Sequence, residues 1–264
     1  MERIATNVNI EIVKGCANTD CLSWNTTCQH FGPIKRMPIN VLEGILRELS
    51  KYDISNIALY GRGDALEHND INQCFALVKS ILPAVTTFLN VDGHSMKKHE
   101  IPLCDYLNIC HKEEITHPPF SSSIAHIPKV THSFLVRKIT HRLLDEIDEY
   151  IEETIQLNNK NLYAIGSLWN IEFGITPPIG TFIPLESEDG IEITIPQNPL
   201  KYPRRKVYVD INGIVRKCLF SDKKYKDISA LLSINGNNCD CEGCGMDVFT
   251  YKINLKGGDE IEKI

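Results

Sequence analysis

The chain has 264 residues, of which 42% are hydrophobic and 23% are charged, and its formal net charge is −6. This is the composition of an ordinary soluble globular protein, and the negative charge disfavours the broad basic surface of nucleic-acid-binding proteins. No segment approaches 18 uninterrupted apolar residues, and the N-terminus lacks the apolar core of a signal peptide. We therefore expect a cytoplasmic protein that binds neither nucleic acid nor membrane.

Strands and helices alternate along the first part of the chain. Residue patterns predict strands over 5–13, 54–60, 84–91, 106–110, 162–165 and 171–173, and helices over 39–49, 70–82 and 139–157. This order implies βαβ units and a largely parallel sheet. Five or six strands are too few for a closed eight-stranded barrel, so the predicted fold class is α/β, with a partial (β/α)6-type open barrel.

The pattern changes after a stretch rich in proline and glycine at 176–184. Residues 207–211, turned by Asn212 and Gly213 onto residues 214–218, predict a β-hairpin. We place a domain boundary near residue 185, which gives a barrel domain over 1–185. Residues 186–264 then form a small extension that contains the hairpin and a cysteine-rich segment.

Ten cysteines are many for a cytoplasmic chain, in which disulfides are rare and metal ligation, redox chemistry or burial are the usual roles. Seven of them form two groups, one near each end of the chain: Cys16, Cys21 and Cys28, and Cys218, Cys239, Cys241 and Cys244. The other three lie in apolar surroundings and are predicted to be small buried hydrophobic residues: Cys74, Cys104 and Cys110.

The first cysteine group follows the first predicted strand and therefore lies at the carboxyl edge of the sheet, where ligands bind in such folds. Three thiolates can hold three irons of a [4Fe–4S] cluster and leave the fourth iron open to an external ligand. By spacing alone, a zinc site or three unrelated thiols fit the loop as well as a cluster does.

A second segment, Gly61-Arg62-Gly63-Asp64, follows the second predicted strand at the same edge. Glycines allow a backbone to approach a ligand closely, and the Asp64 carboxylate could accept hydrogen bonds from an ammonium group. A plain turn is the simpler interpretation of this segment when it is considered alone.

Taken together, the two segments resemble the radical S-adenosylmethionine (radical SAM) superfamily, in which a glycine- and acid-containing strand end follows the cysteine loop by one βα unit. Residues 64–70 (DALEHND) resemble the family's acid-Pro-Leu-x-His-x-Asp continuation, and residues 89–93 (LNVDG) resemble its Thr-Asn-Gly strand end. The family's usual cysteine spacing is C-x3-C-x2-C, whereas this chain has C-x4-C-x6-C with Trp24 where the third cysteine would stand. Either Cys28 reaches back through a longer loop, or the cluster is altered or absent.

The resemblance implies a cofactor set and its binding residues. A [4Fe–4S] cluster would be held by Cys16, Cys21 and Cys28, with S-adenosyl-L-methionine at its open iron and at Gly61, Gly63 and Asp64. The implied activity is reductive cleavage of S-adenosyl-L-methionine to a 5′-deoxyadenosyl radical that abstracts hydrogen from a substrate. A reductant such as flavodoxin or ferredoxin would supply the electron, and no catalytic side chain is assigned.

The predicted hairpin and the last four cysteines resemble the SPASM/twitch extension of radical SAM enzymes. This resemblance implies a second, auxiliary Fe–S cluster on Cys218, Cys239, Cys241 and Cys244. Four thiolates hold a structural zinc ion equally well, so the sequence is compatible with either an Fe–S cluster or zinc at these cysteines. Enzymes with such extensions often modify peptides, which implies a peptide substrate of the RiPP-maturation type, with a small molecule as the alternative.

A second hypothesis is a catalytically silent relative that holds only the C-terminal metal and binds a partner or senses redox state. Its support is Trp24 together with the stretched cysteine spacing. The histidines show no metal-ligand spacing, so they are predicted to be surface residues or satisfied polar residues: His111, His117, His126, His132 and His141.

Overall fold

The structure is a computed structural model, and it describes residues 6–15, 33–61, 63–93, 95–97, 99–112, 115, 124–136, 138–155, 161–167, 169–170, 181–182, 186–194, 205–217, 223–233 and 252–255. The helices and strands are, in chain order, β1 Thr6–Ile10, β2 Val13–Lys14, β3 Lys35–Arg36, α1 Ile39–Leu49, β4 Ile54–Ala58, α2 Ile71–Ile81, β5 Thr86–Asp92, β6 Tyr106–Lys112, β7 Lys129–Val136, β8 Lys138–Ile139, α3 His141–Ile155, β9 Asn161–Ser167, β10 Trp169–Asn170, β11 Thr181–Phe182, β12 Glu186–Ser187, β13 Ile191–Thr194, β14 Arg205–Val209, β15 Val215–Arg216, β16 Lys224–Tyr225, α4 Ile228–Leu232 and β17 Lys252–Leu255.

One sheet organises the fold, with the strand order β16-β15-β14-β1-β4-β5-β6-β7-β9. Neighbouring strands from β14 to β9 are parallel, while β15 and β16 are antiparallel to their neighbours. From β1 to β9, each strand of this sheet lies beside the sheet strand that precedes it in the chain. Because the sheet grows in one direction and the connections between its parallel strands are right-handed, the helices lie on one face. The predicted α/β class with a largely parallel sheet is confirmed, and the partial barrel stays a prediction.

The helices cover one face of the sheet, which we call the helix face. In β1, Val8 and Ile10 point to this face and are fully buried. Helix α1 buries Leu42, Leu46 and Leu49, which share one side of the helix because they are spaced by about one turn. Burial of each such leucine contributes about 1.5–3 kcal/mol. This packing leaves the alternate strand positions, such as Asn7 and Asn9 in β1, on the opposite face.

Strand β7 has no counterpart among the sequence predictions, which place no strand between residues 110 and 162. It is a sheet strand because Val130, His132, Phe134 and Val136 alternate toward α3. His132 is fully buried, and its Nδ1 lies 2.9 Å from the Tyr150 hydroxyl of α3. A buried histidine in the apolar row explains why the alternation was not recognisable in the sequence.

The other histidines divide between surface and interior. His126 and His141 are exposed, whereas His111 is buried and stacks on the ring of Phe134 at 4.9 Å. His117 lies outside the described residues. The prediction of surface or satisfied histidines therefore holds for His126, His141 and the hydrogen-bonded His132, while His111 belongs to an aromatic layer between sheet and helix.

The predicted C-terminal hairpin is confirmed as β14 paired with β15. Its loop is shaped by Asp210, whose Oδ1 accepts from the backbone N–H groups of Asn212 and Ile214, and by Gly213, which has a φ of +78° that suits glycine. Because β14 pairs with β1, the hairpin is part of the main sheet. The domain boundary near residue 185 stays a prediction. None of the described helices has the length and the apolar composition of a membrane span.

Candidate functional site

The chain segments that follow β1 and β4 meet at the carboxyl edge of the sheet. Gly15 and Gly63 form an isolated parallel β-bridge there. A Cβ atom on Gly63 would lie 2.5 Å from the Gly15 carbonyl oxygen and 2.7 Å from that of Val13. Only glycine therefore allows this contact, which ties the Gly61–Asp64 segment to the residue directly before Cys16.

The first glycine of the segment has a different neighbour. A Cβ atom on Gly61 would lie 2.6 Å from the Glu11 Cβ and 3.0 Å from the Tyr208 hydroxyl oxygen. Glu11 and Tyr208 are both buried. The sequence motif predicts that these glycines let a ligand approach the backbone. The structure shows that each glycine permits a close contact between two segments of the same chain.

Glu11 joins three separate parts of the chain at this edge. Its side chain is fully buried, and its Oε2 accepts a hydrogen bond from the backbone N–H of Ile211 at 3.0 Å. Its own backbone N–H donates to the Val209 carbonyl at 2.8 Å. The end of β1, the Gly61 turn and the loop after β14 are thus held together by one residue.

We expect Glu11→Ala to lower the free energy of unfolding by about 1–3 kcal/mol, because it leaves the buried Ile211 N–H without its acceptor. Glu11→Gln keeps an oxygen in the same place and is the matched control, with a smaller expected loss. Urea denaturation at an unchanged m-value measures both. Equal stability of the Ala and Gln variants would contradict the role assigned to this hydrogen bond.

Asp64 ends the glycine segment and begins a turn of 3₁₀-helix, Ala65–Glu67. Its carboxylate is buried, and Oδ1 accepts from the backbone N–H of Leu66 at 3.0 Å. The side chain is therefore held in one position at the sheet edge. Its predicted interaction with the amino group of S-adenosyl-L-methionine stays a prediction.

His68 fixes the far end of the same segment. One ring nitrogen, Nε2, lies 2.8 Å from the carbonyl oxygen of Met37, and the other, Nδ1, lies 3.1 Å from the backbone nitrogen of Asp70. In this arrangement Nε2 donates to the Met37 carbonyl and Nδ1 accepts from the Asp70 N–H. His68, the histidine of the motif that resembles the family's, thus anchors the segment to Met37, which directly precedes Pro38 and α1.

The sheet face opposite the helices carries a network of carboxamides, and we call it the polar face. On β5 and β6, Asn108 Nδ2 donates to Asn90 Oδ1 at 2.7 Å. The Cys110 thiol donates to the same oxygen at 3.1 Å, and the Ser133 hydroxyl of β7 donates to Asn108 Oδ1 at 2.8 Å. These four side chains form one connected cluster across three strands.

Two further pairs extend the polar face to β1 and β4. Asn56 Nδ2 donates to Asn7 Oδ1 at 2.5 Å, and Asn9 Nδ2 donates to the Tyr60 hydroxyl at 3.1 Å. Burial raises the pKa of Tyr60 to about 12, and the bond from Asn9 only partly offsets this, so the phenol is protonated at neutral pH. Tyr60 directly precedes Gly61, which places the network beside the carboxyl edge.

The polar face was not predicted from the sequence. Its signal is an asparagine next to a buried apolar residue in each strand, two in TNVNI and one each in ISNIA, TTFLNVD and YLNICHK. Alternation alone indicates a half-buried strand with a solvent side. Only the strand register shows that these asparagines form pairs across neighbouring strands.

The seven clustered cysteines, Cys16, Cys21, Cys28, Cys218, Cys239, Cys241 and Cys244, lie outside the described residues. Among the residues that are described, no three His, Cys, Asp or Glu side chains are arranged to hold a metal ion. The remaining cysteines, Cys74, Cys104 and Cys110, are buried as predicted. Burial raises the pKa of the Cys74 and Cys104 thiols to about 12, so neither is a thiolate at neutral pH.

Comparison with solved structures finds twelve similar chains, two of which are crystal structures of BtrN. A crystal structure of BtrN in complex with AdoMet and 2-DOIA aligns with a TM-score of 0.45 at 10% identity, over 84% of this chain and 76% of that chain. A crystal structure of BtrN in an open conformation gives a TM-score of 0.39 at 10% identity, over 84% and 72%. No family model and no curated protein matches the sequence. Similarity at this level assigns neither cofactor nor substrate to this chain.

Proposed function

We propose that this protein is a radical SAM enzyme. In this proposal Cys16, Cys21 and Cys28 hold a [4Fe–4S] cluster, and Gly61, Gly63 and Asp64 hold S-adenosyl-L-methionine. The partial barrel predicted from the sequence would surround the reaction, with the polar face as its inner surface.

The observation that carries the proposal is the bridge between Gly15 and Gly63. It brings the start of the cysteine loop and the Gly61–Asp64 segment to one place at the carboxyl edge, where ligands bind in parallel sheets. A cofactor held jointly by both loops requires this proximity. The buried Asp64 carboxylate, fixed by the Leu66 N–H, suits a primary ammonium group because a carboxylate oxygen accepts several hydrogen bonds.

A reduced cluster held by Cys16, Cys21 and Cys28 would supply one electron for cleavage of S-adenosyl-L-methionine to methionine and a 5′-deoxyadenosyl radical, which would abstract hydrogen from a substrate. In this proposal the protein's own residues bind and orient the cofactor and the substrate. Gly63 sets the distance between the two loops, and Glu11 holds the Gly61 turn against β14. The uncharged side chains of the polar face bind substrate beside this edge.

The C-terminal residues Cys218, Cys239, Cys241 and Cys244 are proposed to hold an auxiliary Fe–S cluster that removes the surplus electron or positions the substrate. A structural zinc ion is the alternative for the same four thiolates. A flavodoxin or ferredoxin is the proposed reductant. The sequence prediction of a peptide substrate, and of a cytoplasmic location, stays part of this proposal.

Anaerobic purification with iron and sulfide counting, followed by an assay for deoxyadenosine, tests the proposal. We expect about eight irons per chain if both cysteine groups hold [4Fe–4S] clusters, and reductant-dependent formation of deoxyadenosine from S-adenosyl-L-methionine. About four irons or one zinc ion without deoxyadenosine would instead identify the silent relative that Trp24 suggests.

A further inference from the structure

The polar face presents hydrogen-bonding groups that its own network does not use. The Asn7–Asn56 bond leaves Asn7 Nδ2 and Asn56 Oδ1 without a partner among the described residues, and the Asn90–Asn108 bond leaves Asn90 Nδ2. Asn9 donates to Tyr60 and keeps its Oδ1. Asn7, Asn9, Asn56 and Asn90 are half-buried, so each of these residues is partly exposed to solvent.

Most of the described side chains on this face are also uncharged. They are the following residues of β1, β4, β5, β6 and β7: Asn7, Asn9, Asn56, Ala58, Thr86, Phe88, Asn90, Tyr106, Asn108, Cys110, Thr131 and Ser133. Two charged residues share rows of the sheet with these side chains: Lys129 is paired with Tyr106, and Asp92 is paired with Cys110. The Lys129 ammonium lies over the Tyr106 ring and donates to its hydroxyl, and Asp92 has an interaction partner of its own, so neither charge is unoccupied.

The mixture of free donors and acceptors restricts the ligand further. A carboxylate or phosphate only accepts and would leave Asn9 Oδ1 and Asn56 Oδ1 unpaired. An ammonium group only donates and would leave the free nitrogens of Asn7 and Asn90 unpaired. Polar groups left unpaired in a site reduce affinity strongly, which makes such sites selective for partners of matching pattern.

We propose that the polar face binds an uncharged ligand that carries neighbouring donors and acceptors, as hydroxyl groups or peptide amides do. As the substrate site this rests on the proposed function, because Tyr60 joins the face directly to the Gly61–Asp64 segment. The protonated Tyr60 phenol contributes one more neutral donor next to that segment.

The test is a binding series in which the probes differ in charge. Sorbitol is neutral, gluconate is its anionic analogue and N-methylglucamine its cationic analogue, while N-acetylalanine amide supplies neutral peptide amides. Binding to the full chain, without added S-adenosyl-L-methionine or reductant, is measured by ligand-observed NMR. We expect sorbitol or the blocked peptide to bind at least about tenfold more tightly than either charged analogue.

Sorbitol binding identifies a hydroxyl-rich ligand, and binding of N-acetylalanine amide alone identifies a peptide. Stronger binding of gluconate or N-methylglucamine, or no binding of either neutral probe, overturns the inference. The wild-type protein suffices for these outcomes, so they do not depend on whether a variant folds.

Variants then locate the site. Asn90→Asp replaces a donor by an acceptor of the same shape and is expected to weaken binding of the neutral probe about tenfold. Asn7→Asp makes the same exchange in the other pair, because the unused group of Asn7 is also its Nδ2 donor. Asn40→Asp, on the exposed side of α1, adds the same charge away from the face and should change nothing. Unchanged affinity in folded Asn90→Asp and Asn7→Asp variants contradicts the assignment.

The two proposals fail separately. If the protein forms deoxyadenosine but binds neither neutral probe, the ligand inference is wrong and the radical SAM function is supported. Binding of a neutral probe by a protein that forms no deoxyadenosine removes that function and keeps the site.

Discussion

Replacing Cys28 by alanine is expected to abolish formation of deoxyadenosine from S-adenosyl-L-methionine and to leave the C-terminal metal in place. Three thiolates are the smallest set that holds a [4Fe–4S] cluster with one open iron. Cys28 lies beyond the family's usual cysteine spacing, so this substitution asks whether the longer loop brings it to the cluster. The iron content should fall by about four per chain.

Cys104→Ala is the matched control. Cys104 is buried with a thiol pKa raised to about 12, so it is not a thiolate ligand. This variant should keep its iron and its activity while losing some stability from the small cavity. If Cys28→Ala retains all of its iron and its deoxyadenosine formation, Cys28 is not a cluster ligand.

Gly63→Ala should reduce the rate of deoxyadenosine formation about 100-fold. The added Cβ would lie 2.5 Å from a backbone oxygen of Gly15 and 2.7 Å from one of Val13, and ordinary contact requires 3.4 Å or more. The two loops must therefore separate by about 1 Å, and a misplacement of this size can cost about 100-fold in rate. Overpacking of this kind also lowers stability by about 1–3 kcal/mol.

Gly44→Ala separates the loop effect from the general effect of adding a methyl group. Gly44 lies in α1, and nothing lies within 4 Å of the place that its Cβ would take, so alanine should stabilise the helix by about 0.5–1 kcal/mol and leave activity unchanged. Rates with saturating and limiting S-adenosyl-L-methionine distinguish weaker binding from misplacement. A Gly63→Ala variant with wild-type activity would show that the bridge does not position the cofactor.

Local patterns were sufficient for much of the fold. Helix α1 spans Ile39–Leu49 as predicted, because Pro38 precedes it and leucines recur on one side. The order of strands and helices also predicted the parallel sheet. Strand β7 was missed because its apolar row includes His132, whose burial depends on the Tyr150 hydroxyl of α3.

The candidate site was harder to predict, because it is built from contacts between residues that are distant in the sequence. The motif placed Gly61, Gly63 and Asp64 at the correct edge, yet the neighbours of both glycines, Glu11 and Gly15 among them, come from another part of the chain. Glu11 was not singled out because its partner Ile211 is 200 residues away. The asparagine pairs of the polar face were missed for the same reason, since strand register determines them.

The position of β14 beside β1 has a consequence for how the protein is made. Residues 6–10 pair with residues 205–209, so one side of β1 has no hydrogen-bonding partner until Val209, which lies 199 positions after Ile10, has been synthesised. At about 5–20 residues per second this takes about 10–40 s on the ribosome. During that interval the nascent chain exposes an open strand edge, the kind of surface on which chains aggregate. Completion of the sheet, and with it the Glu11–Ile211 contact, is therefore a late step that follows synthesis of most of the chain.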